Sequence, residues 1–241
     1  MFSYMIAAIA ALLVGISKAG LKGINVFTVT IMAMAFGAKA STGIMLPMLM
    51  MGDLLATIYY KKHCRWEYLI KFMPAMIVGV LLAVWLGKDI SEVTFKNWMG
   101  VIILLSVVLM WYRERTNDMA FPKGWLFAGT MGIGAGFTTM IGNLAGSFSN
   151  IFFLATGLPK KEFIGTAAYL FLITNLFKLP FHAFVWKTIT LDTLKINAAQ
   201  SIFIGLGFMI GLRIVNLFNE LAFRKFILVV TAIGAILIFV R

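Results

Sequence analysis

The sequence has little with which to meet water. Only 12% of its 241 residues are charged, and just nine are acidic. Soluble domains carry about twice that charge, so a soluble surface cannot be covered by what is here. The single cysteine, Cys64, excludes an internal disulfide framework and a multi-cysteine metal site. Histidine is equally scarce, and His63 stands beside Cys64 and Arg65 in a basic loop without the four spaced ligands of a zinc site. No G-x-x-x-x-G-K-[ST] is present, which excludes a phosphate-binding ATPase loop. No Lys or Arg precedes Lys18, so the basic region of a signal peptide is missing and MFSYMIAAIAALLVG reads as a retained membrane segment.

What fills the chain is apolar: 61% of residues, with a mean hydropathy of +0.96. A helix crosses a bilayer with about 20 apolar residues. Runs of that length lie near 40–60, 70–87, 95–112, 162–186, 196–217 and 222–240. Two regions differ. Segments 2–17 and 24–37 flank Ser17-Lys18-Ala19-Gly20-Leu21-Lys22-Gly23, and segments 124–141 and 143–157 flank Gly142-Asn143. The second arm of each pair is short for a crossing, and glycine is dense at both breaks. Non-helical backbone at membrane depth survives only where protein or a water-filled cavity satisfies it. Each pair is therefore expected to be a broken hairpin facing a cavity.

The net charge of +12 falls mostly in short loops between apolar runs. This is the pattern of positive-inside topology and of contact with anionic lipid headgroups, not of nucleic-acid binding. Taking the loop with Lys61, Lys62, Arg65 and Lys71 as cytoplasmic places Arg113, Arg115, Lys123, Lys160, Lys161, Arg213, Arg224 and Lys225 on the same side; Lys187 and Lys195 are exceptions. Trp66, Trp85, Trp111, Trp125 and Trp186 fall near span ends, as an aromatic belt does.

The chain also aligns with itself. At an offset of 122 residues Gly20 meets Gly142, Lys39 meets Lys161, Gly43 meets Gly165, Arg65 meets Lys187 and Asp53 meets Asn175. Each half, 1–115 and 116–241, reads as a broken hairpin followed by three transmembrane helices. An odd number of segments per half turns the second half upside down. The expected fold is thus an all-α polytopic membrane protein of two inverted repeats, an arrangement that marks secondary transporters with substrate near the midplane between the helix breaks.

Both halves carry the same order of features. The second reads GIGAGFTTMIGNLAGSFSNIFFLATGLPKKEFIGTAAYL, with Gly157-Leu158-Pro159 and Gly165-Thr166 after the short helix. The first reads GISKAGLKGINVFTVTIMAMAFGAKASTGIMLPML, with Ser41-Thr42-Gly43 at the matching turn. This order resembles the TauE/SafE family of sulfite exporters and organosulfonate or organic-anion permeases, over nearly the whole chain. The resemblance implies a multi-pass transporter of the bacterial inner membrane for a small anion: sulfite, an organosulfonate or a small carboxylate. Lys18 and Lys22 interrupt what is usually a near-continuous glycine cluster, so the resemblance speaks for an anion more firmly than for sulfite.

Several residues are candidates for the chemistry. Lys18 and Lys22, with Gly20 between them, place cations beside free backbone N–H groups at a helix start, an anion site; contact with lipid headgroups is the alternative. Asn25, Asn143, Ser147, Ser149 and Asn150 follow the breaks and can donate to sulfonate or carboxylate oxygens. Asp53 lies mid-span, where an ionisable group is expensive and marks function by default. Lys178, one turn after Asn175, is its expected partner in a buried pair that an anion disrupts; snorkelling to the interface is the alternative. His182 is either a proton shuttle or an interfacial residue. Asp53, Asn175 and His182 are thus the candidates for proton or ion coupling. No cofactor or metal is expected, and a homodimer is compatible with the pattern. An anion channel and a membrane-embedded enzyme are the competing classes. Ser147 lacks the second glycine of a G-x-S-x-G elbow, which speaks against the enzyme.

Overall fold

The first apolar run, rich in the strong helix formers Ala and Leu, forms α1 (Phe2–Lys18) and stops two residues later, where Gly20 takes a φ of +141° that a side chain resists. The computed structural model describes residues 2–21, 24–95, 97–98, 101, 124–219, 222 and 229. Lys22 lies outside the described residues, as do most of the expected spans at 95–112 and 222–240. Among the described residues all regular structure is helical.

After the break comes the short α2 (Asn25–Phe36). Gly37, at φ +88°, turns it directly into α3 (Ala38–Tyr59). A 3₁₀ turn at Lys61–His63 leads to α4 (Trp66–Gly87). The second hairpin is α5 (Trp125–Gly142) and the ten-residue α6 (Gly146–Ala155). Asn143 caps α5 in the left-handed region at φ 56°, a conformation asparagine tolerates better than most residues. Then α7 (Lys160–Pro180) continues as a π-helical turn, Phe181–Val185, and α8 (Leu191–Leu217) starts from a Thr190/Thr193 capping box. Four of these are long and apolar enough to cross a membrane: α3, α4, α7 with its π turn, and α8. At 1.5 Å per residue, α2 and α6 reach roughly 18 and 15 Å, well short of a ~30 Å hydrocarbon core.

Helix contact is set by glycine. The most extensive pairings among the described residues are α4 with α5 and α1 with α8. A Cβ on Gly136 would collide with the Met76 carbonyl, and one on Gly79 with the Ile133 carbonyl. On the other side, Gly207 sits against Leu12 and Gly15 against Ile204 in the same way. Apolar surface gains little by leaving lipid, so such close backbone approach is what binds helices in a membrane.

The long helices α3 and α7 cross antiparallel, and three contacts mark the crossing. Gly43 packs against Thr188 just beyond α7, and Gly165 packs against the His63 backbone just beyond α3. Near the second of these, the Arg65 backbone N–H donates to Thr166 Oγ1 (2.9 Å) and its guanidinium grips Glu162 with two 2.8 Å bonds. The third contact, between Asp53 and Asn175, lies about halfway between these ends.

Trp66, Trp85 and Trp125 are exposed at helix ends, as a belt requires. Trp186 is a correction: it is buried, edge-on to Phe95 and His182, because the π turn swings it inward. Trp111 lies outside the described residues. The loop holding Cys64 keeps Lys61, Lys62 and Arg65 exposed but is tied to α7 through the Arg65 backbone, and partial burial pushes the Cys64 thiol up to about 11.

Two outcomes follow. Gly136→Ala and Gly207→Ala should each cost about 1–3 kcal/mol, read as a lower melting temperature in detergent, whereas Gly129→Ala, which meets nothing within 4 Å, should leave it unchanged. Cys64 should react slowly with iodoacetamide at pH 7.5, with the rate rising about tenfold per pH unit up to pH ~10, because only the thiolate is nucleophilic.

Candidate functional site

Two helix interruptions meet inside the bundle. The C-terminus of α1 brings Ser17 and Lys18, the C-terminus of α5 brings Thr139 and Asn143, and the starts of α2 and α6 bring Asn25 and Gly146. With Leu49 of α3, Phe171 and Asn175 of α7, and Ala145, they wall a cavity holding about 430 Å³ of empty space, its mouth included. Neither α2 nor α6 has a side chain capping its N-terminus. Their first-turn N–H groups and the positive ends of their dipoles therefore face this region uncapped.

A chain of buried polar contacts runs behind the cavity wall. Lys18 Nζ donates to Asp53 Oδ1 at 2.6 Å, and Asp53 is wholly buried. Asn175 Nδ2 donates to the other carboxylate oxygen at 2.8 Å. Lys178 Nζ then donates to the Thr139 carbonyl and to Asn143 Oδ1, both at 2.7 Å, with Thr139 Oγ1 at 3.2 Å and Asn175 Oδ1 at 3.4 Å. Asn143 Nδ2 donates in turn to the Thr42 carbonyl, and Asn25 Nδ2 to the Asn143 carbonyl. Lys18 Nζ also lies 5.0 Å from the centre of the Phe171 ring, a cation–π contact. Beside the break, the Tyr60 hydroxyl donates to the Ala19 carbonyl at 2.9 Å.

The partner expected for Asp53 was Lys178; the structure gives it Lys18, and joins Lys178 to it through the Asn175 amide. The physical reason is reach. Lys18 ends α1 directly beside α3, where its stem packs against Gly52, while Lys178 reaches the Thr139 carbonyl and Asn143 Oδ1 at the end of α5. Snorkelling is excluded for Lys178, which is completely buried, and lipid contact is excluded for Lys18, which is 9% exposed. Gly20 does not line the cavity; its missing side chain makes room for Ile164 and Val215. Asn150 is buried, and Ser149 donates to the Ala145 carbonyl within its own helix. The side chain of Ser147 lies outside the described residues. His182 is not interfacial: it is buried in the π turn, its Nδ1 2.8 Å from Thr188 Oγ1, and it does not line the cavity.

Sequence reasoning passed over Ser17, Thr139 and Phe171. A signal for two of them was present: Thr139 precedes the second break as Ser17 precedes the first, at the same 122-residue offset that separates Asp53 from Asn175.

Removing one partner of a buried ion pair strands a charge at a cost of about 3–5 kcal/mol. Lys18→Met should therefore be strongly destabilised. The double variant Lys18→Met/Asp53→Asn should recover most of the loss, measured as melting temperature in a double-mutant cycle.

No curated protein and no solved structure matches the chain. Its residues 7–238 match the family described as Sulfite exporter TauE/SafE. With four helices among the described residues fit to cross a membrane and a match over nearly its full length, the chain belongs to the TauE/SafE sulfite exporter family of membrane transporters.

Proposed function

We propose that this protein is a secondary transporter of a small sulfur-containing anion, of the sulfite or organosulfonate class, in the bacterial inner membrane. The anion binds in the cavity between the two helix breaks. The observation that carries this is the meeting of both breaks in one cavity that Lys18 lines, with two uncapped helix N-termini beside it. Helix N-termini and an ammonium together favour an anion without further groups. Two lysines are buried here beside one buried carboxylate, which pairs with Lys18; this leaves room for one more negative charge. Asn25 lines this cavity, and its buried Oδ1 has no hydrogen-bond partner among the described residues. It suits an anion that bears a donor, such as hydrogen sulfite or an amino- or hydroxysulfonate.

In this reading the halves 1–115 and 116–241 are inverted repeats. Supporting it, the first helix of each hairpin packs on a long helix of the other half, α1 on α8 and α5 on α4. Gly43 and Gly165, equivalent by the offset, each pack beyond the end of the other half's long helix. Asp53 and Asn175 touch as mates do on a pseudo-two-fold axis, which would put the site near the midplane. An anion drawn to Lys18 competes with Asp53, and Asp53 is then the group that couples transport to a proton.

Sulfite, thiosulfate, sulfoacetate, isethionate, taurine and small carboxylates at millimolar concentration should be compared for thermal stabilisation of the purified protein. A sulfur oxyanion should raise the melting temperature. Asp53→Asn, which releases Lys18, should bind it roughly tenfold more tightly, a gain of about 1.4 kcal/mol. The charge-balanced Lys18→Met/Asp53→Asn variant should lose the response. Equal indifference of wild type and Asp53→Asn to every anion would overturn the reading.

A further inference from the structure

Lys178 has an environment unlike that of the other buried lysine. Lys18 meets a carboxylate; Lys178 Nζ faces only neutral oxygens among its hydrogen-bond partners. Four surround it: the carbonyl and hydroxyl of Thr139, Asn143 Oδ1 and Asn175 Oδ1. Three of them, the Thr139 carbonyl and the two amide oxygens, can only accept; a neutral amine has two hydrogens for them and an ammonium three, so the cage suits a cation.

The two amides are locked in the orientation a cation requires. Asn175 turns its NH₂ to the Asp53 carboxylate, and reversing it would set oxygen against carboxylate and NH₂ against the lysine. Asn143 turns its NH₂ to the Thr42 carbonyl and its oxygen to Lys178. The Thr139 carbonyl belongs to the last turn of α5, the negative end of its dipole, and accepts from both the Asn143 backbone N–H (2.9 Å) and Lys178 Nζ. Broken helices in transporters place such C-terminal carbonyls around coupling sodium ions.

We propose that this cage is a monovalent-cation site whose occupant is the protein's own Lys178 ammonium. The lysine is a tethered ion: it holds α5, α7 and the Asn143 break together as a bound sodium or potassium would. It also supplies a fixed positive charge behind the cavity wall formed by Thr139, Asn143 and Asn175. That the wild-type transporter needs no sodium rests on the proposed transport function; the cation site itself does not.

The test is made without any anion substrate beyond chloride. Melting temperatures of wild type, Lys178→Ala and Lys178→Met are compared in 200 mM sodium, potassium and choline chloride. Truncation to alanine empties the cage and leaves room for an ion. Lys178→Ala should melt about 5 °C higher in sodium or potassium than in choline, the shift expected of an ion present at about 20 times its Kd. Wild type should respond equally to all three salts. So should Lys178→Met, because its side chain fills the space without charge. Salt-independent melting of Lys178→Ala would overturn the proposal, as would its failure to assemble in every salt or an equal response from Lys178→Met. Absence of anion stabilisation in the separate anion comparison would count against the transport reading and leave the cation site standing.

Discussion

Three charges buried in an apolar bundle govern how the rest is arranged. A carboxylate or ammonium taken out of water costs several kcal/mol even after relaxation, and Lys18, Asp53 and Lys178 are all withdrawn from the surface. The cost is offset only if every lone pair and proton finds a partner. Asp53 therefore needs Lys18 on one oxygen and Asn175 on the other. Lys178 needs the end of α5, where Thr139 turns a carbonyl to it and Asn143, at the break, an amide oxygen. The two helix breaks are thus as much a condition for burying the charges as a place for a ligand.

Glycine provides the second condition. The breaks face one another only because α1 can lie against α8, and α5 against α4, at backbone contact through Gly15, Gly207, Gly79 and Gly136. The antiparallel crossing of α3 and α7 is pinned at its ends through Gly43 and Gly165, and this holds Asp53 at hydrogen-bonding distance from Asn175. A site made of short, uncapped helix ends has little cohesion of its own. The long helices supply the rigidity, and the short ones supply the dipoles.

Much of this was legible in the residues. Hydropathy marked the helices, because a membrane span must be apolar along its length. The breaks showed as glycine clusters flanked by arms too short to cross. Asp53 stood out because a carboxylate in such a run has no inexpensive explanation; the contact it makes with Asn175, its counterpart at the 122-residue offset, was not foreseen. Which lysine would reach Asp53 was not legible. Lys178 shared a helix face with Asn175, but sequence periodicity describes one helix at a time and is silent on what lies across the gap. The inward turn of Trp186 and the burial of His182 were hidden for the same kind of reason, since both depend on a π-helical turn at the end of α7.

The sequence by itself determined that the chain is helical, membrane-borne and broken at two places, since composition and hydrophobic run length answer directly to the bilayer. It also determined which ionisable groups would have to be accounted for at depth. Tertiary structure alone decided the pairing of Lys18 with Asp53, the four-oxygen cage around Lys178 and the closing of both breaks around one cavity. Those contacts join residues from separate helices. A hydrogen bond is decided within a few tenths of an ångström, and only the packing of the whole bundle sets distances between helices that finely.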